Sequence, residues 1–261
     1  MAPRGPATTT RSSTAAPATR RWPAGPRTPT STGSEVAVRV VICGGHGKTG
    51  RAVAAALRAR GATAVPLGRA DDVAGAAAGA DAAYLIAPNL HPDEPALVAG
   101  WLDGLRTAGV TRVGYHSVAA PYAPDMPHHL GKARAEDVVR RSGLRWTILQ
   151  PGAYLQNLDL TGPVRVPYDV HAVFGFADLD EVGAAAATVL TEPGHEGATY
   201  ELATRTATVA ELAAEAGTTA ERVPGPSGLG PVLDAMFAYY DRYGLPVGTR
   251  PLAHLLGKEH P

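Results

Sequence analysis

Residues 36–43 read V-A-V-R-V-V-I-C, and G-G-H-G-K-T-G follows at once over 44–50. No other stretch constrains the fold as tightly. An almost wholly apolar, mostly β-branched run suits a strand buried on both faces, as parallel sheets require. Beyond the glycines, residues 49–60 read as a helix. Val53 and Leu57 fall on one face, and Arg51, Arg58 and Arg60 lie elsewhere. Gly61 is a natural stop, because glycine adopts the left-handed conformation that ends a helix.

Strand, glycine loop and helix in that order form an anion cradle. Gly44 lets the chain turn off the strand. Gly47 lets the backbone approach a diphosphate with no Cβ in the way, and Gly50 lets the helix pack closely. The helix then offers free N–H groups and a partial positive charge. His46, Lys48 and Thr49 complete the loop as candidate cofactor contacts. The competing reading is a tight turn that holds no ligand. Gly47-Lys48-Thr49 also imitates the end of a nucleotide-triphosphate P-loop, but that motif needs glycine at position 42, where Ile42 stands.

The rest of the chain alternates. Strands are predicted over 63–67, 82–87, 111–117 and 144–150. Helices are predicted over 72–78, 94–108 and 128–142. Such alternation predicts an α/β fold with a doubly wound, mostly parallel sheet. After Pro151 the pattern loosens. Residues 164–167 and 171–174 are strand-like, 180–190 is helical, 199–203 is a strand, and 209–216 and 231–243 are helices. The predicted organisation is a dinucleotide-binding domain over 36–157 and a small α+β lobe over 158–261 that partly returns to the sheet. Residues 1–35 hold six Pro, eight Thr and five Arg, with no acid before Glu35. So little apolar surface cannot offset the entropy of ordering, and a disordered tail is expected there.

Composition excludes several partners. Lys+Arg and Asp+Glu are both 24, so no overall field draws nucleic acid or an anionic membrane. No apolar run reaches the roughly 18 residues that span a bilayer. The single cysteine, Cys43, rules out an internal disulfide and a multi-cysteine metal site. Neither a carboxylate nor a second thiol completes a zinc set around His128 and His129, so no metal is expected. The expected location is the cytoplasm. The second strand ends Leu67-Gly68-Arg69, with Asp71 and Asp72 close behind. An acid near this point would bind the ribose 2′-OH of NAD, and an arginine would take the 2′-phosphate of NADP. Arg69 at the strand tip favours NADP over NAD.

Six stretches share an order with one known family: V-V-I-C-G-G-H-G-K-T-G-R (40–51), A-A-Y-L-I-A-P-N (82–89), V-G-Y-H-S-V (113–118), M-P-H-H-L-G-K-A-R-A-E (126–136), W-T-I-L-Q-P-G-A-Y-L-Q-N (146–157) and A-T-Y-E-L-A (198–203). The chain resembles the NmrA-like branch of the atypical short-chain dehydrogenases/reductases. That resemblance implies a Rossmann domain binding NAD(P)(H), closed by a small C-terminal lobe. Some members resemble NADPH-dependent quinone reductases. Others look like redox sensors that bind the dinucleotide without turning it over.

One departure from the family stands out. Only about 20 residues separate Gly61 from Ala82, so one βα unit is missing or compressed. Residues 63–67 then stand for either the family's second strand or its third. The lobe is also shortened between Asn157 and Val164.

In ordinary short-chain dehydrogenases a strand-end Ser and a Tyr-x-x-x-Lys pair on the next helix serve the chemistry. Ser117 and Lys132 match two of these positions, and His128 stands where the Tyr would be. Positions i and i+4 share a helix face, so His128 and Lys132 are expected to face one ligand. Lys132 then contacts the cofactor ribose, and His128, with an ordinary pKa near neutrality, donates a proton. Ala87, Pro88 and Pro151 at strand ends are further cofactor contacts, and Tyr122, Tyr154 and Asn157 are substrate contacts. The implied function is NAD(P)H-dependent reduction of a small quinone- or carbonyl-type compound. The alternative is a non-catalytic NAD(P)-binding sensor acting through a protein partner.

Overall fold

Five parallel strands form most of the main sheet: β1 (Arg39–Cys43), β2 (Thr63–Leu67), β3 (Ala82–Leu85), β4 (Arg112–His116) and β5 (Arg145–Pro151), in the order β2-β1-β3-β4-β5. The computed structural model describes residues 37–223 and 225–258. The tail expected over 1–35 lies outside them, as does Val36.

Side-chain alternation along β1 feeds two separate cores. Val40 and Ile42 pack on one face against Val53 and Leu57 of α1 (Lys48–Ala59). Val41 and Cys43 pack on the other, against α3 (Glu94–Thr107) and α4 (Pro127–Arg140) through Val98, Leu102, Ala135 and Val139. Helices therefore cover both faces, and the sheet is doubly wound in the Rossmann manner.

Thr63–Leu67 pairs directly with β1, with Arg39 opposite Thr63 and Cys43 opposite Leu67. It thus takes the second-strand position, next to β1. No strand flanks its outer side among the described residues, so the lacking βα unit is the outer one. Pro66 sits in this edge strand, where a missing N–H donor is tolerated. The chain then crosses to β3, on the far side of β1, through the single turn α2 (Val73–Ala76). Asp72 caps that turn by accepting from the N–H groups of Ala74 and Gly75.

Beyond β5 come β6 (Ala153–Tyr154), a 3-10 turn (Leu155–Asn157), β7 (Val164–Val166), β8 (Phe174–Ala177), α5 (Leu179–Thr191) and β9 (Ala198–Leu202). They are followed by β10 (Arg205–Ala207), α6 (Val209–Glu215), β11 (Ala220–Arg222), α7 (Pro231–Tyr243) and α8 (Arg250–Leu255). β9 joins β5 as the sixth parallel strand, and α5 packs with α1 on the first core. The other strands form two small sheets, β10-β8-β6 and β11-β7. Their core joins Phe174 and Phe176 to Tyr168, Leu212 and Tyr240.

The strand expected over 171–174 runs instead over Phe174–Ala177. Asp169 draws residues 169–172 into a turn: its carboxylate accepts from the His171 N–H, and its carbonyl from the Ala172 N–H. The fully buried F-G-F-A is left to form the strand.

Candidate functional site

A cavity of about 950 Å³ opens at the C-terminal ends of the parallel strands and continues under the small lobe. Open α/β sheets bind ligands at this end, and pockets of roughly 300–1,000 Å³ hold small molecules.

The glycine loop forms one end, and its glycines differ in kind. Gly44 has φ +76°, and a Cβ there would lie 2.2 Å from the Ile86 carbonyl oxygen. A Cβ on Gly50 would lie 2.5 Å from the Gly45 Cα. Both are glycine because the fold leaves no room. Gly45 is a third such position, missed in the sequence reading; its Cβ would overlap Pro66. Gly47 is different. It caps α1 in an ordinary extended conformation, and the nearest protein atom to a Cβ there is the Gly44 oxygen at 3.4 Å. The fold itself does not require glycine at 47. No acid stands in the first turn of α1, and no side chain caps its N–H groups. A cradle with these features fits a diphosphate.

The expected cofactor positions share this cavity: Gly44, residues 46–50, Arg69 after β2, Ala87 and Pro88 after β3, and Lys132 and Pro151. Arg69 is exposed and makes no hydrogen bond or ion pair among the described residues. The two nearby acids are already engaged. The Asp71 carboxylate accepts from the Gly68 N–H at 2.7 Å, and Asp72 caps α2.

Tyr154 and Asn157 also line the cavity. Lys48 Nζ donates to Asn157 Oδ1 at 2.6 Å and lies 5.7 Å from the centre of the Tyr154 ring. Tyr122 does not reach the cavity. It is 63% exposed, and its hydroxyl accepts from Arg140 at 3.2 Å. The loop before α4 turns Ala119, Ala123 and Met126 into the lobe core, which directs Tyr122 outward.

Ser117 and Lys132 both reach the wall, each with a partner the sequence did not announce. The Ser117 hydroxyl gives its proton to Glu136, which also accepts from Gln150 Nε2 at 2.7 Å. Ser117 therefore has no proton to offer the cavity. Lys132 Nζ donates to Glu94 Oε1 at 2.8 Å and to the His116 carbonyl at 3.2 Å.

His128 lines the cavity at the start of α4, half-buried. Burial and then the Lys132 charge lower its pKa. At neutral pH it is a neutral imidazole, which accepts a proton more readily than it donates one. His129 borders the same cavity, its ring centre 6.0 Å from that of His128. Among the described residues no three His, Cys, Asp or Glu side chains gather as a metal site.

No motif in the sequence marks His116 as a site residue. It ends β4, buried, with Nδ1 2.9 Å from the Tyr84 hydroxyl and Nε2 3.1 Å from the Tyr154 hydroxyl. A neutral imidazole has one donor and one acceptor nitrogen, so both are satisfied. Burial and then the Lys132 charge push its pKa down to about 3. The unfolded chain therefore binds a proton below about pH 6.5 that the folded chain refuses. His116 costs nothing above that pH and weakens the fold as pH falls toward 3, by roughly 1.4 kcal/mol per unit. Denaturant melts at pH 7 and pH 5 should differ by about 2 kcal/mol from this residue. A His116→Asn variant should show a correspondingly shallower slope.

Comparison with known proteins follows the same lines. The family model for NAD(P)H-binding proteins matches residues 62–193. An NAD(P)H azoreductase of Xenophilus azovorans is 32% identical over 130 residues, covering 47% of this chain and 45% of that protein. The chain spans a little under half the length of the curated relatives it matches. In structure it is similar to an NADPH-dependent quinone oxidoreductase of Escherichia coli, with TM-score 0.68, 22% identity, and coverage of 85% of this chain and 96% of that one. It is also similar to the negative transcriptional regulator NmrA in complex with NAD, with TM-score 0.69, 16% identity, and coverage of 86% and 93%. At such identities the structures speak to the fold alone. No helix among the described residues is long and apolar enough to cross a membrane. The family match spans half of the sequence, across the sheet that carries the cavity, and on that ground the chain belongs to the NAD(P)H-binding family.

Proposed function

We propose that the protein is an NAD(P)H-dependent reductase of small quinone-like or related aromatic acceptors, and that it prefers NADPH. One observation carries this reading. A single cavity runs from the glycine loop at α1 to an aromatic chamber bounded by Tyr168, Phe237 and Tyr240. Flat conjugated rings suit such walls, because aromatic faces and edges attract one another at these separations. The named activities of the relatives, azo-dye and quinone reduction, concern substrates of the same shape.

The chain's own residues divide the task. The N–H groups at the start of α1 hold the diphosphate, and Lys48 adds positive charge beside them. Arg69, with no hydrogen bond or ion pair among the described residues, takes the 2′-phosphate, while Asp71 and Asp72 accept from neighbouring backbone N–H groups. Reduced nicotinamide, when bound, supplies a hydride. Lys132, which lines the cavity, offers an N–H to the substrate oxygen, and His128, which also lines it, accepts a hydrogen bond. Tyr154 and the lobe side chains keep water off the acceptor ring.

Purified protein should oxidise NADPH when benzoquinones, naphthoquinones or an azo dye are added, followed by loss of nicotinamide absorbance. NADPH should bind more tightly than NADH in calorimetry. Tight dinucleotide binding with no acceptor consumed across that panel would end the reductase reading. It would favour a second one, a dinucleotide sensor working through a protein partner. That alternative draws on the Ser117 proton committed to Glu136 and on histidine standing in place of the usual tyrosine. A sensor must bind oxidised and reduced cofactor with different affinities.

A further inference from the structure

A second cavity, of about 490 Å³, lies behind α4, between the loop preceding α3 and the starts of α4 and α7. Glu94, the first residue of α3, borders it although the residue is only 2% exposed. Its Oε1 accepts from Lys132 Nζ at 2.8 Å and from the Tyr115 hydroxyl at 2.6 Å. Its Oε2 has no hydrogen-bond partner among the described residues. Lys132 borders the cofactor cavity instead. One buried ion pair therefore joins two chambers, a carboxylate facing one and an ammonium facing the other.

A pair of this kind needs a reason beyond stability. Desolvating two charges cancels most of their attraction, and apolar residues of similar size commonly serve the fold as well. Reduction supplies such a reason. A hydride delivered to a quinone or carbonyl carbon leaves charge on oxygen, and one proton from solvent must follow it. The chamber where hydride would move is walled by the lobe.

We propose that Glu94 relays protons from the second cavity to Lys132, and through it to the substrate oxygen. This rests on the reductase reading above. As the substrate oxygen gains its proton, an O–H bond forms and an Nζ–H bond of Lys132 breaks. The neutral amine then takes a proton from the Glu94 carboxyl group, which has drawn it from hydronium or a buffer acid in the second cavity. Lysine ends protonated and glutamate ionised, as they began, and one solvent proton is used per hydride. The other ionisable groups around the pair are accounted for. Tyr115 only donates to Glu94, and burial and that carboxylate raise its pKa. Asp93 caps α3 through the Ala96 N–H, and His91 accepts from the Asp93 N–H. His128 borders both cavities and Arg134 the second, and neither makes a hydrogen bond among the described residues.

Two variants test the relay in the whole protein by NADPH-dependent quinone reduction. Gly131 lines the second cavity, and a Cβ there meets nothing within 4 Å. Gly131→Phe therefore fills the chamber and leaves both members of the ion pair in place. It should lower kcat by about 10²-fold, the scale of a lost proton-transfer step, with both KM values unchanged and a larger solvent isotope effect on kcat. Glu94→Ala should lose kcat similarly, and millimolar formate or acetate should restore it with saturation, since small acids can occupy the vacated space. Wild-type kcat and isotope effect in Gly131→Phe would overturn the relay, as would a Glu94→Ala variant that no added acid rescues. If the wild-type protein itself turns over no acceptor, the reductase reading fails first and the relay falls with it.

Discussion

Gly47→Trp should abolish dinucleotide binding and leave the fold standing. The two effects separate because of what surrounds that one position. Its backbone is extended, its Cβ direction is open, and the nearest protein atom stands 3.4 Å from where a Cβ would be. An indole there projects in front of the first N–H groups of α1, which the bound diphosphate needs. Losing that seat should weaken binding at least about 100-fold, or roughly 2.7 kcal/mol. The melting temperature of the unliganded variant should stay within about 2 °C of the parent, as for a surface change of under about 0.5 kcal/mol. Gly44 and Gly50 offer no such experiment, since any side chain there overlaps backbone. Calorimetry and a thermal melt on one preparation decide the matter. Full affinity in Gly47→Trp would move the dinucleotide away from the loop.

Lys132→Met should be the most damaging single change to stability among the cavity residues. It removes the cation from Glu94 and leaves a carboxylate at 2% exposure with only the Tyr115 hydroxyl for company. Stranding one member of a buried pair costs about 3–5 kcal/mol. For a domain of this size that lowers the melting temperature by roughly 6–20 °C. Turnover should disappear as well. The double variant Lys132→Met with Glu94→Gln should recover most of the stability and none of the activity, because the two residues are directly coupled. A single variant that melts with the parent would show that the ion pair does not form in solution.

Which features the sequence announced follows from the range of the interactions involved. The β1–α1 unit was legible because its evidence is local: a run of β-branched residues, a spaced set of glycines, and a helix with one apolar face. α3, α4, α5 and α7 were read within two residues of their ends for the same reason. β6, β10 and β11 are two or three residues long, too short to show a period, and α8 contributes Leu252 and Leu255 to the first core, too few to show a helical face. The site divides similarly. Residues of the loop and strand ends could be placed from motif position. The partners that decide their chemistry could not, since Glu94 is 38 residues from Lys132, and Tyr84 and Tyr154 reach His116 from different strands. Tyr122 was misplaced because nothing local distinguishes the inward from the outward residues of a proline-rich loop. The lowered pKa of His128 was equally hidden, because it comes from burial and from Lys132, neither visible in the residue's type.

Cys43, at the end of β1, is the chain's only cysteine, and burial pushes its thiol up to about 12. The thiolate form of cysteine attacks electrophilic rings, and the protonated thiol does not. Sheltered within the core and held protonated, this sulfur offers no nucleophile to an electrophile that enters the cavity, so on the reductase reading proposed above the chain would meet thiol-reactive acceptors without being alkylated by them.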